Sequence, residues 1–152
     1  MAAEDRLREL SIELPPPIQP LGSYCTYVRS GSLLFLSGHV PVREGQMVHA
    51  GKVGGDLTLE QGQAAARFTA LNCLATIRAA VGSLDRVRRV VRMTGYVLSA
   101  PGFSQQAAVL NAASDLFAEV FGPAGVHVRT AVGVAELPAN ATVELELTVE
   151  VE

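Results

Sequence analysis

Apolar and polar positions alternate most clearly at the C-terminal end of the chain. From Ala141 to Val151, Val143, Leu145, Leu147 and Val149 alternate with Glu144, Glu146, Thr148 and Glu150, the two-residue period of a half-buried strand. A second strand is expected over Val126 to Ala135. There Val128, Val132 and Val134 share one face, while His127, Arg129, Ala131, Gly133 and Ala135 share the other. Only small residues follow Arg129 on its side, which leaves room for a ligand or another chain to approach the backbone. A guanidinium at the edge of such a face suits a planar carboxylate, which it grips with two hydrogen bonds. If Leu137-Pro138 turns the chain between antiparallel partners, Glu144 lies beside Arg129 and can hold or activate a water. The same proximity would equally make a structural salt bridge.

The rest of the chain reads as alternating helices and strands. Ala2 to Leu10 places Leu7 and Leu10 on one side of a short charged helix, which ends before Leu14-Pro-Pro-Pro17. Tyr24 to Val28, a turn at Arg29-Ser-Gly31, and Leu33 to Leu36 read as a hairpin. Its second arm is apolar throughout and is expected to be buried on both faces. Arg43 to Gly55 is a Gly-rich loop with room for a short strand at Met47-Val-His49. Thr58 and Gln61 have capping-box spacing at the start of a long helix, and Gly82 is its natural stop. A strand follows over Val87 to Leu98. A second helix, with Ser104 as its cap, buries Val109, Leu110, Leu116, Phe117 and Val120 before Gly122-Pro123 ends it. The order ββ-α-β-α-ββ defines an α+β fold with both long helices on one face of a single sheet. No internal repeat or linker divides the chain. Residues 1–152 are expected to form a single domain, with 1–22 an N-terminal helix and Pro-rich extension.

Composition narrows the chemistry. Hydrophobic residues fill 49% of the 152 positions and aromatic ones only 5%, with no Trp, so Val, Leu and Ala must build the core. A net charge of −3 with mixed signs argues against nucleic-acid binding, which needs clustered Lys and Arg. The basic run Arg86 to Arg92 is short and alternates with valines, as a lead-in to a strand does. Cys25 and Cys73 are too few and too far apart for a disulfide framework, and Cys73 reads as a buried helix thiol. His39, His49 and His127 lack metal-ligand spacing, so no metal is expected. Ser37 has no nucleophile-elbow motif, and no Gly-Lys-Ser/Thr follows Val53-Gly-Gly-Asp56. Met1 to Leu14 lacks the apolar core of a signal peptide, and no apolar run reaches the ~20 residues of a membrane span. The cytoplasm is the expected compartment.

Leu34-Phe-Leu-Ser-Gly-His-Val-Pro41, the loop before Gln63-Ala-Ala-Ala-Arg67, and Arg129-Thr-Ala-Val-Gly-Val-Ala-Glu-Leu-Pro138 followed by Val143-Glu-Leu-Glu146 resemble the Rid/YjgF family. The name abbreviates reactive intermediate deaminase, and older labels include "endoribonuclease L-PSP". The resemblance runs from about Tyr24 to the C-terminus. The N-terminal helix and Pro15-Pro-Pro17 lie outside the short family core and resemble a longer branch. The resemblance implies a chorismate-mutase-like α+β fold, a homotrimer, and three sites in clefts between subunits. It also implies hydrolysis of 2-imino acids, formed from enamines such as 2-aminoacrylate, to 2-keto acids and ammonia, with neither metal nor organic cofactor. By that resemblance Arg129 holds the substrate carboxylate and Glu144 positions or activates the attacking water. Tyr24, Ser37, Gly38 and Asn111 match cleft-lining positions, Asn111 with one extra residue before the arginine. Ala131 stands where many members carry Cys, and His39 replaces the usual Gln after Ser-Gly. Those departures point either to altered substrate choice or to a regulatory trimer that binds small carboxylates without turnover. Ribonuclease activity has only the inherited label behind it, because no basic face is interleaved with aromatics.

Overall fold

A computed structural model describes residues 1–152. In chain order the elements are α1 (Ala3–Glu9), β1 (Tyr27–Ser30), β2 (Leu33–Leu36), β3 (Val42–Arg43), β4 (Gln46–Met47), α2 (Leu59–Val81), β5 (Val87–Leu98), α3 (Gln106–Phe121), β6 (Val128–Val134) and β7 (Val143–Val151). One sheet runs β1-β2-β7-β5-β6, and β3 pairs with β4 in a separate small hairpin. This is the expected α+β order.

Local signals set the ends of α2. The Thr58 side chain accepts from the Gln61 N–H while the Gln61 side chain accepts from the Thr58 N–H, a complete capping box. At the other end Gly82 takes φ 87°, the left-handed conformation that a side chain disfavours. Helix α3 begins later than the sequence suggests. Gln105, not Ser104, occupies its cap, with no side-chain hydrogen bond there. Gln106 instead reaches back to the Phe103 carbonyl and Ser99 Oγ, which fixes the entry of the helix.

Helices α2 and α3 lie side by side on one face of the sheet, and the core fills the space between. Leu34, Met93, Val97, Val143, Leu145 and Val149 meet Leu74, Ile77, Leu110 and Phe117, all fully buried. The dry face is close-packed at Gly95, where a Cβ would stand 2.3 Å from Leu110 Cδ1. The N-terminal helix belongs to this core. Leu7 is only 2% exposed. Glu4 accepts from Arg78 Nε and from the Leu84 N–H at 3.0 and 2.9 Å, tying α1 to the end of α2.

The opposite face has no helix. Strand register places Val28, Phe35, Thr148, Arg92 and Val128 in one row across all five strands. Phe35 is 43% exposed, Val28 55% and Val128 56%. The all-apolar second hairpin arm, expected to be buried on both faces, is therefore buried on one: Leu34 and Leu36 enter the core and Phe35 stands outside it.

Topology also corrects the expected neighbourhood of Arg129. Strands β6 and β7 are not partners. Strand β5 lies between them, parallel to β6 and antiparallel to β7. The β5-α3-β6 unit supplies the long crossover that parallel pairing needs, and residues 135–142 then carry the chain past the end of β5.

Candidate functional site

Arg129 and Glu144 stand on opposite faces of the sheet. Arg129 pairs across the ladder with Met93, and Met93 with Leu147, both buried under the helices. Glu144 pairs with Tyr96, and Tyr96 with exposed Val132, on the uncovered face. Paired residues point to the same side of a sheet, so the two side chains diverge. The single pocket expected from an antiparallel pairing does not form within one chain.

The Arg129 half-site is built by β6 and α3. Arg129 Nη1 donates to Asn111 Oδ1 at 2.9 Å and to Ser114 Oγ at 3.1 Å. Asn111 and Ser114 are three residues apart and therefore share one helix face. His127 lies two residues before Arg129 on the same strand face. Its Nδ1 is 2.6 Å from the Gly125 carbonyl, which can only accept, so Nδ1 carries the proton in the neutral ring. Nε2 then accepts from the Ser114 hydroxyl at 3.0 Å. The chain of bonds fixes Ser114 as acceptor from Arg129 and donor to His127. Burial holds the His127 pKa below its usual value; the Gly125 bond opposes this, and the Arg129 charge adds to it. These residues, with Asp115, Ala118 and Val126, line a shallow pocket. No carboxylate pairs with Arg129, and its Nη2 and Nε make no bond within the chain. This leaves donors free for a planar anion.

The Glu144 half-site lies at the end of β2. A Cβ on Gly38 would stand 2.8 Å from Glu144 Cδ and overlap Oε1, so only glycine lets this carboxylate lie against the backbone. Burial pushes the Glu144 carboxyl above the usual carboxylate range, and the charge of Glu146 adds to the shift. Tyr96 Oη donates to Glu146 Oε1 at 2.9 Å. That bond, followed by burial and by the charges of Glu146 and Glu144, raises the tyrosine pKa.

The remaining expected residues divide between these two regions. Tyr24 is exposed before β1, and its Oη accepts from the Leu21 N–H at 3.3 Å. Ser37 Oγ donates to the Cys25 carbonyl at 2.6 Å, joining the end of β2 to the segment that carries Tyr24. Tyr24, Ser37 and Gly38 thus belong to the Glu144 side, and Asn111 to the Arg129 side. The small residues after Arg129 differ in their surroundings. Ala131 is half-buried and packs on the core, whereas Gly133 is exposed, with the Gln106 side chain 2.7 Å from where its Cβ would stand. His39 is fully buried, with Nδ1 2.7 Å from the Ser37 carbonyl and Nε2 2.8 Å from Thr76 Oγ1. It clamps β2 to α2, and desolvation lowers its pKa. Sequence reasoning misses Ser114, and places His127 on the face of Arg129 without giving it a role there. Their i, i+3 and i, i+2 relations to Asn111 and Arg129 were the available signal.

The architecture is a helix-backed sheet with an uncommitted guanidinium at one edge and a half-buried carboxylate on its open face. The chain belongs to the family described as "YjgF/chorismate mutase-like, putative endoribonuclease", whose model matches residues 4–151. It is 46% identical over 145 residues to Protein TCP17 of Trypanosoma cruzi, covering 95% of this chain and 91% of that one. It is 34% identical over 147 residues to a protein of Dermatophagoides farinae named 2-iminobutanoate/2-iminopropanoate deaminase, with 95% and 97% covered. The solved structure of Atu1372 from Agrobacterium tumefaciens superposes with a TM-score of 0.91 at 42% identity, covering 99% of this chain and 92% of that one.

Proposed function

We propose that the chain is a cofactor-free deaminase of 2-imino acids, working as a homotrimer in which Arg129 of one copy meets Glu144 of the next. The observation that carries this reading is Arg129 itself: a guanidinium pinned by Asn111 and Ser114, with two nitrogens uncommitted and no carboxylate within ion-pair distance. Such a group binds a carboxylate bidentately. The divergence of Glu144 is why a second copy enters the proposal. The exposed Val28, Phe35 and Val128 support it, because apolar side chains on a sheet face without a helix are suited to burial by further copies. The deaminase name of one relative supports the reaction.

In the proposed reaction the carboxylate rests on Arg129 Nη2 and Nε, with the iminium carbon facing Glu144. Glu144 takes a proton from water as the oxygen bonds to that carbon, giving a carbinolamine. It returns the proton to nitrogen, the C–N bond breaks to release ammonia, and loss of the hydroxyl proton leaves the 2-keto acid. An imine is already electrophilic, so fixing it beside a water and a base supplies much of the rate. A carboxyl raised by burial is better matched to accepting and returning a proton near neutral pH than an ordinary one. Imines generated in situ from several amino acids test the reading. The protein should accelerate their decay, and Arg129→Ala should lower kcat/KM by at least about 100-fold, since a charge-assisted bidentate contact is lost. Full activity in that variant contradicts the mechanism.

One observation favours a second reading, a carboxylate binder without turnover. The anion grip is complete within one chain, whereas the carboxylate is not beside it. Keto-acid binding that depends on Arg129, together with no acceleration of imine decay, selects that reading.

A further inference from the structure

The Glu144 carboxylate lies against the backbone only because residue 38 has no Cβ, yet glycine is also the residue that holds one conformation least well. Groups outside Gly38 must therefore fix it. On one flank the Ser37 N–H donates to the Thr26 carbonyl at 3.0 Å, and Ser37 Oγ donates to the Cys25 carbonyl at 2.6 Å. On the other flank His39 forms an antiparallel bridge with Leu145. The His39 N–H donates to the Leu145 carbonyl at 2.8 Å, and the Leu145 N–H donates back at 2.9 Å. Leu145 directly follows Glu144, so the segment is anchored to the backbone that carries the carboxylate.

The His39 side chain closes the span between those flanks. Its Nδ1 lies 2.7 Å from the Ser37 carbonyl, which can only accept, so Nδ1 carries the proton of the neutral ring. Nε2 then accepts from Thr76 Oγ1 at 2.8 Å. Both His39 and Thr76 are buried, and burial disfavours the charged ring, which keeps these two roles fixed. The Ser37–Gly38 peptide is planar and trans, so a bond that holds the Ser37 carbonyl also sets the direction of the Gly38 N–H. One imidazole thus ties the peptide that enters Gly38 to helix α2.

We infer that His39 is a positioning residue for Glu144: it holds the Ser37–Gly38 peptide in the arrangement that lets the carboxylate rest on Gly38. The inference rests on the proposed reading only for what Glu144 does with its proton. A side chain in this role must donate to a carbonyl and accept from a hydroxyl through two atoms bonded to one carbon. Histidine meets that requirement, and glutamine meets it with its amide nitrogen and oxygen. Leucine fills similar space and meets neither half of it. Without the clamp Gly38 is free to move away, and water reaches the carboxylate.

The test follows the Glu144 carboxyl and the Gly38 amide of the full-length protein by NMR as pH is varied. In the wild type, burial should make Glu144 titrate above the ordinary 4.5. His39→Leu should move that midpoint down toward 4.5 and shift the Gly38 amide signal, whereas His39→Gln should keep both at their wild-type positions. Glu146 and Tyr96, the titratable neighbours of Glu144, are the same in every variant. The His127 ring signals report the other half-site and should not move. Thr76→Val removes only the far end of the clamp and should shift the midpoint the same way by less. It decides the matter should His39→Leu not fold. An unchanged Glu144 midpoint in folded His39→Leu, or in Thr76→Val where the leucine variant does not fold, overturns the inference. So does a shift in His39→Gln as large as in His39→Leu. Imine hydrolysis is measured separately, and kcat should fall at least about tenfold in His39→Leu with KM nearly unchanged, because the general base is misplaced. A wild-type protein that hydrolyses no imine removes the deaminase reading and leaves the titration to decide the positioning. Arg129-dependent hydrolysis with an unmoved Glu144 midpoint does the reverse.

Discussion

The two half-sites hold their charged groups by opposite means. Arg129 is fixed by hydrogen bonds it donates to a helix of its own chain, with a serine and a histidine behind it, and it forms no ion pair within the chain. Glu144 has no hydrogen bond holding it. It is set by contact with a glycine and by partial burial, which raises its pKa. In the proposed reaction the first region holds an anion and the second holds a proton reversibly. Their placement on opposite faces means that one chain does not join them.

That contrast can be broken from either side. On the Glu144 side, Gly38→Ala should cost the most, because the new Cβ would occupy the position of the carboxylate. The side chain can swing away, so the expected result is a loss of kcat of about 100-fold, the size of one misplaced general base, with little change in the unfolding midpoint. An unchanged kcat would mean that the contact with Gly38 does not position Glu144. On the Arg129 side, Ser114→Ala removes one of two acceptors and the partner of His127. Loss of one such bond corresponds to about a tenfold rise in KM or ligand Kd, leaving kcat nearly intact. A fall in kcat alone would place Ser114 in the chemistry rather than behind the grip.

The smallest effect concerns pH. In the proposed reaction ionised Glu144 is the base, so activity should fall as pH drops through its raised pKa, placing the acid limb above the ordinary 4.5. Glu146→Gln removes the neighbouring charge, the lesser of the two causes of the shift. The ionised form of Glu144 is then favoured at lower pH, and the limb should move down by a fraction of a unit while the burial contribution remains. A limb that stays in place, or moves up, would separate it from Glu144.

Much of the fold was legible because its signals are local. The Thr58–Gln61 cap, the stop at Gly82, the strand over Val87–Leu98 and the alternation through Val143–Val149 appear where the pattern puts them. Strand neighbours are not a local property. A period of two says which residues of β6 share a face, but not which face a helix covers. Val128 and Val132 look like core and lie outside it, while Ala131 on the other face packs against it. Likewise the Leu137-Pro138 turn gave no sign that β5 comes between the two strands. Arg129, Asn111, Gly38 and Glu144 were named from the sequence; their separation into two regions became visible only with the sheet order. His39, read as a change at the cleft, is a buried clamp because its partner Thr76 is 37 residues away on α2.

The central claim is that Arg129 and Glu144 act together only across two copies, and subunit mixing tests it most directly. Arg129→Ala and Glu144→Gln, each inactive alone, are unfolded together in equal amounts, refolded, and assayed after mixed assemblies are verified by mass. If each site takes Arg129 from one copy and Glu144 from the next, random mixing restores about one site in four, and so about a quarter of wild-type activity. No recovery in verified mixed assemblies would contradict the account.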